Sequence, residues 1–188
     1  MDIDTYKKLK DVPPGAIIQV WGHSWFGNLI RWYQGWQTGV SNLPNHSAIY
    51  IGSGDNSIIE ANLKVELTRI NKYFNDRHKV SALIFKEMTV GQLQVIKSNA
   101  YSSLGKPYDW RGILAFISKN FSESKYANYC SELVARCYMW ARINISGTPW
   151  PDNPANSPKI SPGDIYLWTI KNEQWYIRDI WTGQDWKK

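Results

Sequence analysis

The sequence predicts an α+β fold, and three observations carry that prediction. Short apolar runs bounded by turn residues read as strands, most clearly a hairpin of residues 46–51 and 57–61 around Gly52-Ser53-Gly54-Asp55-Asn56. Residues 89–104 and 130–141 carry apolar side chains at helical spacing. The second of these helices opens on a cysteine, in Asn128-Tyr129-Cys130-Ser131-Glu132-Leu133, which gives the fold a chemical focus.

The totals bound the reading. A chain of 188 residues is most simply one domain, residues 1–188, with enough length to bury a core without staples. Its two cysteines, Cys130 and Cys137, are seven positions apart on one predicted helix. Their Cα atoms would lie ~10 Å apart, too far for a disulfide, and two free thiols lean towards a reducing compartment. No four-ligand metal pattern is present, and no cofactor is expected. Residues 1–12 are polar without an apolar signal core, and no apolar run reaches bilayer length, so the default expectation is a cytoplasmic protein, with release by lysis or delivery by another system also open. A net charge of +6 is spread along the chain without a basic cluster, which argues for solubility and against specific nucleic-acid binding. Eleven tryptophans and eleven tyrosines exceed what a core needs and suit a groove that stacks on sugars, acyl chains or peptide side chains.

Taken in order, Pro13-Pro14-Gly15 ends a polar lead-in and residues 16–20 form a short buried strand. Ser24 is placed to cap a helix with Trp25, Leu29, Trp32, Tyr33 and Trp36 on one face. Gly35, Gly39, Asn42 and Pro44 break the chain before the hairpin. Residues 63–75 are mixed in character, and 79–86 form a further strand. Thr89 with Gln92 makes a capping box, Val90, Leu93, Ile96, Ala100 and Leu104 line the helix, and Gly105 with Pro107 stops it. Asn128 would cap the cysteine helix, with Leu133, Val134, Cys137, Trp140 and Ala141 on its apolar side. Five prolines between 149 and 162 mark an irregular loop, and two short strands, 165–170 and 175–180, close the chain.

Alone, Cys130 reads as a small core hydrophobe. At a helix N-terminus, however, unpaired N–H groups and the dipole favour a thiolate, which is the nucleophilic form. That chemistry needs a histidine and an orienting group. In the hairpin, side chains alternate faces, so His46, Ala48 and Tyr50 share one face. If Tyr50 pairs with Asn56, Ala48 faces Ile58 and His46 faces Glu60, within ~5 Å between Cβ atoms. Glu60 sits among Ile58, Ile59 and Ala61, where a carboxylate needs a partner. His78 lies in the polar run Asn75-Asp76-Arg77-His78-Lys79 and reads as solvated. His23, just before a helix, reads first as a surface or capping residue, with a place in a groove wall as the alternative.

These residues resemble a known family. Leu104-Gly105-Lys106-Pro107-Tyr108-Asp109-Trp110-Arg111-Gly112, followed by Tyr129-Cys130-Ser131-Glu132-Leu133-Val134, resembles the nucleophile half of NlpC-type papain-like peptidases. His46-Ser47-Ala48-Ile49-Tyr50-Ile51-Gly52 resembles the histidine strand of that superfamily. The histidine strand here precedes the cysteine, and the order His, Glu, Cys resembles the circularly permuted YiiX/YaeF-like branch. The likeness covers residues 13–142, leaving the Pro-rich loop and terminal strands of 143–188 outside it. Pro14-Gly15-Ala16 departs from the usual Pro-Gly-Asp, and Ser131-Glu132 from the usual Ser-Gly.

The resemblance implies a papain-like fold in permuted order, with a small antiparallel sheet or barrel packed against the nucleophile helix. It implies a cysteine hydrolase in which Cys130 attacks, His46 moves the proton and Glu60 orients the imidazole. The Cys130 backbone N–H would hold the oxyanion, and by resemblance Tyr108 would be a second donor. Three functions stay open at this point. The first is a peptidase or amidase acting on peptides, including cell-wall peptidoglycan fragments. The second is a thiol acyltransferase or lipase taking lipid acyl groups, since lecithin retinol acyltransferase-like enzymes share this layout. The third is a binding module with an idle site. Nothing in the sequence sets the oligomeric state.

Overall fold

The structure, a computed structural model, describes residues 3–23, 25–52, 54–108, 129–147 and 160–185. The chain enters through a short helix, α1 (Ile3–Lys10), and a first strand, β1 (Ile17–Trp21). Helix α2 (Trp25–Thr38) then leads to the hairpin β2 (His46–Tyr50) and β3 (Ser57–Ala61). Strand β4 (Val65–Arg69), a 3-10 turn (Ile70–Tyr73) and strand β5 (Lys79–Phe85) follow. Helices α3 (Val90–Ser102), α4 (Cys130–Trp140) and α5 (Pro162–Thr169) precede the last strand, β6 (Trp175–Thr182).

The six strands form one open sheet in the order β4-β3-β2-β1-β5-β6, and each neighbouring pair is antiparallel. Both faces of the central strands are covered, which explains why β1 and β3 read as continuous apolar runs rather than as alternating ones. Ile17, Ile49, Ile59 and Leu83 point to the side packed by α3 and α4. Ile18, Ala48, Ile58 and Ala82 point to the other side, under Leu9 of α1 and Ile70 and Phe74 around the 3-10 turn. The expected α+β class with a small antiparallel sheet against the cysteine helix is the one observed.

Several local expectations are corrected. The hairpin register is shifted by two residues: Tyr50 pairs with Ile58, and Ala48 with Glu60. The parity of the strand survives such a shift, because side chains repeat every two residues. Residues 165–170 are not a strand. Ser161 caps α5, its side chain accepting from Asp164 N–H while the Asp164 carboxylate takes the Ser161 N–H, and Pro162 stands at the first turn. This capping box and proline are a stronger signal than the β-branched and aromatic residues that follow. On α2, two residues of the expected apolar face point outward, Trp32 being 65% and Trp36 75% exposed. Gln34 is buried instead, because its amide donates to the Pro44 carbonyl and accepts the Gly163 N–H, fixing the helix by two backbone bonds. Ser24 lies outside the described residues.

The α3 capping box forms as expected, and Ile96 and Ala100 are buried, but Val90 and Leu104 are exposed. Gly105 takes a φ of +81°, a conformation that favours glycine at a helix stop. Residues 63–75, mixed in character, supply β4 and the 3-10 turn.

Candidate active site

Helix α4 begins at Cys130, capped by the backbone of Tyr129; Asn128 lies outside the described residues. The first turn is anchored by the Ser131 hydroxyl, which donates to the Ile160 carbonyl at 2.6 Å. Farther along, the Tyr138 hydroxyl donates to the carbonyl of Gly15, tying α4 to the entry of β1. Leu133, Val134, Cys137 and Ala141 are buried as their spacing predicts, whereas Trp140 is exposed. Glu132 is buried and pairs with Arg136 one turn on, at 2.6 Å.

Cys130 itself is 2% exposed, less than a freely accessible nucleophile would be. Burial pushes its pKa up, yet the net shift is down. The positive charge and hydrogen bond of His46 outweigh burial, helped by the backbone N–H groups of Ser47 and Ser131. Cys137 is also buried, and burial raises its pKa to about 12, the positive charges of Lys106 and Arg136 offsetting only part of that rise.

His46 opens β2. Its Nε2 lies 2.6 Å from Oε2 of Glu60, so Nδ1 is the ring nitrogen left for Cys130. The meeting is diagonal across the hairpin, since Glu60 is paired in register with Ala48. Burial alone would lower the His46 pKa. The thiolate of Cys130 and the carboxylate of Glu60, each by charge and hydrogen bond, raise it to about 10. The segment leading to His46 is fixed by Asn45, whose side chain donates to the Gly22 carbonyl at 2.6 Å and accepts the Gly22 N–H at 3.0 Å.

Glu60 is fully buried, which would raise its pKa, but His46 and then Lys72 bring it down to about 2. Lys72 pairs with Oε1, and the Tyr73 hydroxyl donates to Oε2 at 2.5 Å, beside His46. Tyr73 also packs its ring against His46, with centroids 5.8 Å apart, and Lys72 sits over the Tyr73 ring. Sequence reasoning missed both residues, because they fall in the stretch without periodicity. The single available signal was the demand of a buried Glu60 for donors.

A cleft of about 220 Å³ leads to His46, lined among others by Asn45, Asn62, Tyr73, His78 and Tyr108. Tyr108 is placed there by its N–H bond to the Leu63 carbonyl at 3.2 Å and the bridge between Lys64 and Pro107. His78, expected in solvent, is half-buried in this wall, because the 3-10 turn folds its loop back against Tyr73. His23 contacts Arg31 at 3.3 Å near the same end of α2. The structure thus brings Cys130, His46 and Glu60 together, with Tyr108 across the cleft. Among the described residues, no group of three or more His, Cys, Asp or Glu side chains could hold a metal ion. Nor is any helix among them long and apolar enough to cross a membrane.

Residues 11–148 match the family model described as permuted papain-like amidase enzyme, YaeF/YiiX, C92 family. Among solved structures, the crystal structure of metalloprotein yiiX from Escherichia coli O157:H7 matches with a TM-score of 0.61. The match covers 88% of this chain and 96% of that one at 20% identity, a likeness of fold. No curated protein matches the chain.

Proposed function

The chain belongs to the YaeF/YiiX family of permuted papain-like amidases, and from that premise we propose that it cleaves an amide bond through a Cys130–His46–Glu60 triad. The family makes it a cysteine hydrolase of amidase type. The observation that carries the finer reading is the 2.6 Å contact of His46 with the buried Glu60, together with the lowering of the Cys130 pKa by His46.

In this mechanism the Cys130 thiolate adds to the substrate carbonyl carbon, and the oxyanion is held by the Cys130 backbone N–H and by Tyr108. The His46 imidazolium gives its proton to the departing amine nitrogen, and the C–N bond breaks to leave a thioester. His46, now neutral, takes a proton from water as it attacks the thioester, and Cys130 leaves as the thiolate. Glu60 keeps the ring oriented and supports its positive charge throughout. Both oxygens of Glu60 are taken up by His46, Tyr73 and Lys72, a donor set that does not fit a metal ligand. Every step is therefore assigned to the side chains named.

The substrate proposed is a peptide amide, with cell-wall peptide as the first to test. The exposed Trp32 and Trp36 sit on the helix that also lends Gly27 and Ile30 to the cleft, and they favour a lipid acyl substrate as the second reading. Incubation with purified peptidoglycan and, separately, with phospholipid vesicles tests both. New amino termini from peptidoglycan, absent with Cys130→Ala, support the amidase. Fatty acid release from vesicles, equally dependent on Cys130, supports the second reading. If an electrophilic thiol probe leaves Cys130 unlabelled, the site is an idle binding module.

A further inference from the structure

His78 lies in the wall of the cleft that leads to His46. Its Nδ1 stands 2.7 Å from Oδ1 of Asn75. That same oxygen accepts the Arg77 N–H at 3.1 Å, while the Asn75 amide nitrogen donates to the Lys72 carbonyl at 3.1 Å. The Asn75 amide is therefore held with its oxygen towards the ring. Nδ1 must carry the hydrogen, and Nε2 keeps its lone pair. Burial, then the positive charges of His23, His46 and Arg77, lower the His78 pKa, which favours the neutral ring.

The ring is also fixed in place. It stands edge-on to Tyr73, with centroids 5.5 Å apart. The terminal strand secures its loop: Gly183 N–H donates to the His78 carbonyl at 2.8 Å, and Trp181 Nε1 to the Asn75 carbonyl at 2.9 Å. Gly22, another residue of the cleft, lies beside it. A β-carbon at Gly22 would come within 2.9 Å of Cδ2 and 3.0 Å of Nε2 of His78. The absence of a side chain at Gly22 is what lets the ring edge pack this closely, and Nε2 takes no hydrogen bond from the described residues.

We propose that His78 binds substrate, its Nε2 accepting an amide N–H that flanks the carbonyl under attack. The cleft then selects amides over esters of the same shape, because an ester leaves the acceptor unpaired. This inference rests on Cys130 being the nucleophile of the site.

The test uses N-methyl iodoacetamide and methyl iodoacetate, which differ in having N–H or O beside the carbonyl. Alkylation of Cys130 by each is followed by mass spectrometry and divided by that reagent's rate with glutathione. The protein should favour the amide by about tenfold, the yield of one hydrogen bond. His78→Phe should lose this preference by slowing the amide reagent alone. Gly22→Ala should weaken it as well, because the added methyl must displace the His78 ring edge, and His78→Gln, which retains an acceptor oxygen, should keep part of it. Equal normalised rates in the unaltered protein overturn the inference, as does a His78→Phe variant that slows both reagents alike. If neither reagent labels Cys130, the nucleophile assignment falls first and takes the inference with it.

Discussion

Nε2 of His46 lies 2.6 Å from Oε2 of Glu60, although the two residues are not opposite each other in the hairpin. Ala48 stands opposite Glu60, so the imidazole reaches the carboxylate along the strand on the shared face. The contact therefore depends on parity, and on donors that hold Glu60 ionised where it is fully buried.

Glu60→Gln should keep a hydrogen bond to the ring while removing the negative charge. The imidazolium then loses its partner, the thiolate it supports becomes rarer, and the pH for half-maximal Cys130 alkylation rises. Glu60→Ala should be worse, since the ring loses its anchor as well. Titration of the alkylation rate in the two variants checks this; an unchanged profile in Glu60→Gln reduces the site to a Cys130–His46 dyad.

Lys72 should act through Glu60. Removing its cation in Lys72→Met leaves the carboxylate charge to His46 alone, so the Glu60 pKa rises from about 2 and His46 holds its proton more firmly. The alkaline limb of the pH–rate profile should move up by about half a unit, while Lys72→Arg restores it. Tyr73→Phe removes a second donor on the oxygen that serves His46 and should cost about 1 to 3 kcal/mol of stability, measured by urea unfolding.

Stability should follow pH from both sides. The Glu60 pKa falls on folding, so its contribution is complete above about 4.5 and is lost as pH drops through about 2. The His46 pKa rises on folding, so its contribution is complete below about 6.5 and is lost as pH climbs through about 10. Thermal midpoints across this range should form a plateau between the two limbs. In Glu60→Gln the acid limb should flatten, because its main titrating group is gone.

Part of this site could be read from residues alone. A cysteine at a helix start, a histidine and a glutamate of equal parity, and the Thr89–Gln92 capping box are each set by local rules, and the structure retains each. What escaped is set by tertiary context. Tyr73 and Lys72 reach Glu60 from a 3-10 turn, whose short span leaves no period to detect. Trp32 and Trp36 have the spacing of a buried face, but Gln34 makes two backbone bonds and turns them outward. Residues 165–170 look like a strand by composition, and only the Ser161–Asp164 box upstream of them discloses the helix.

The central claim is that His46 keeps Cys130 as a reactive thiolate, and competitive alkylation of the two cysteines by iodoacetamide at pH 6.5 tests it most directly. Both thiols are buried, so burial alone gives neither an advantage. The Cys130 pKa is lowered by His46, whereas burial raises that of Cys137 to about 12. Peptide mapping should show Cys130 labelled at least ~100-fold faster, because its pKa lies below the ordinary thiol value and that of Cys137 lies well above it. That margin should collapse in His46→Ala. Equal labelling of the two cysteines, or a Cys130 rate untouched by loss of His46, would contradict the account.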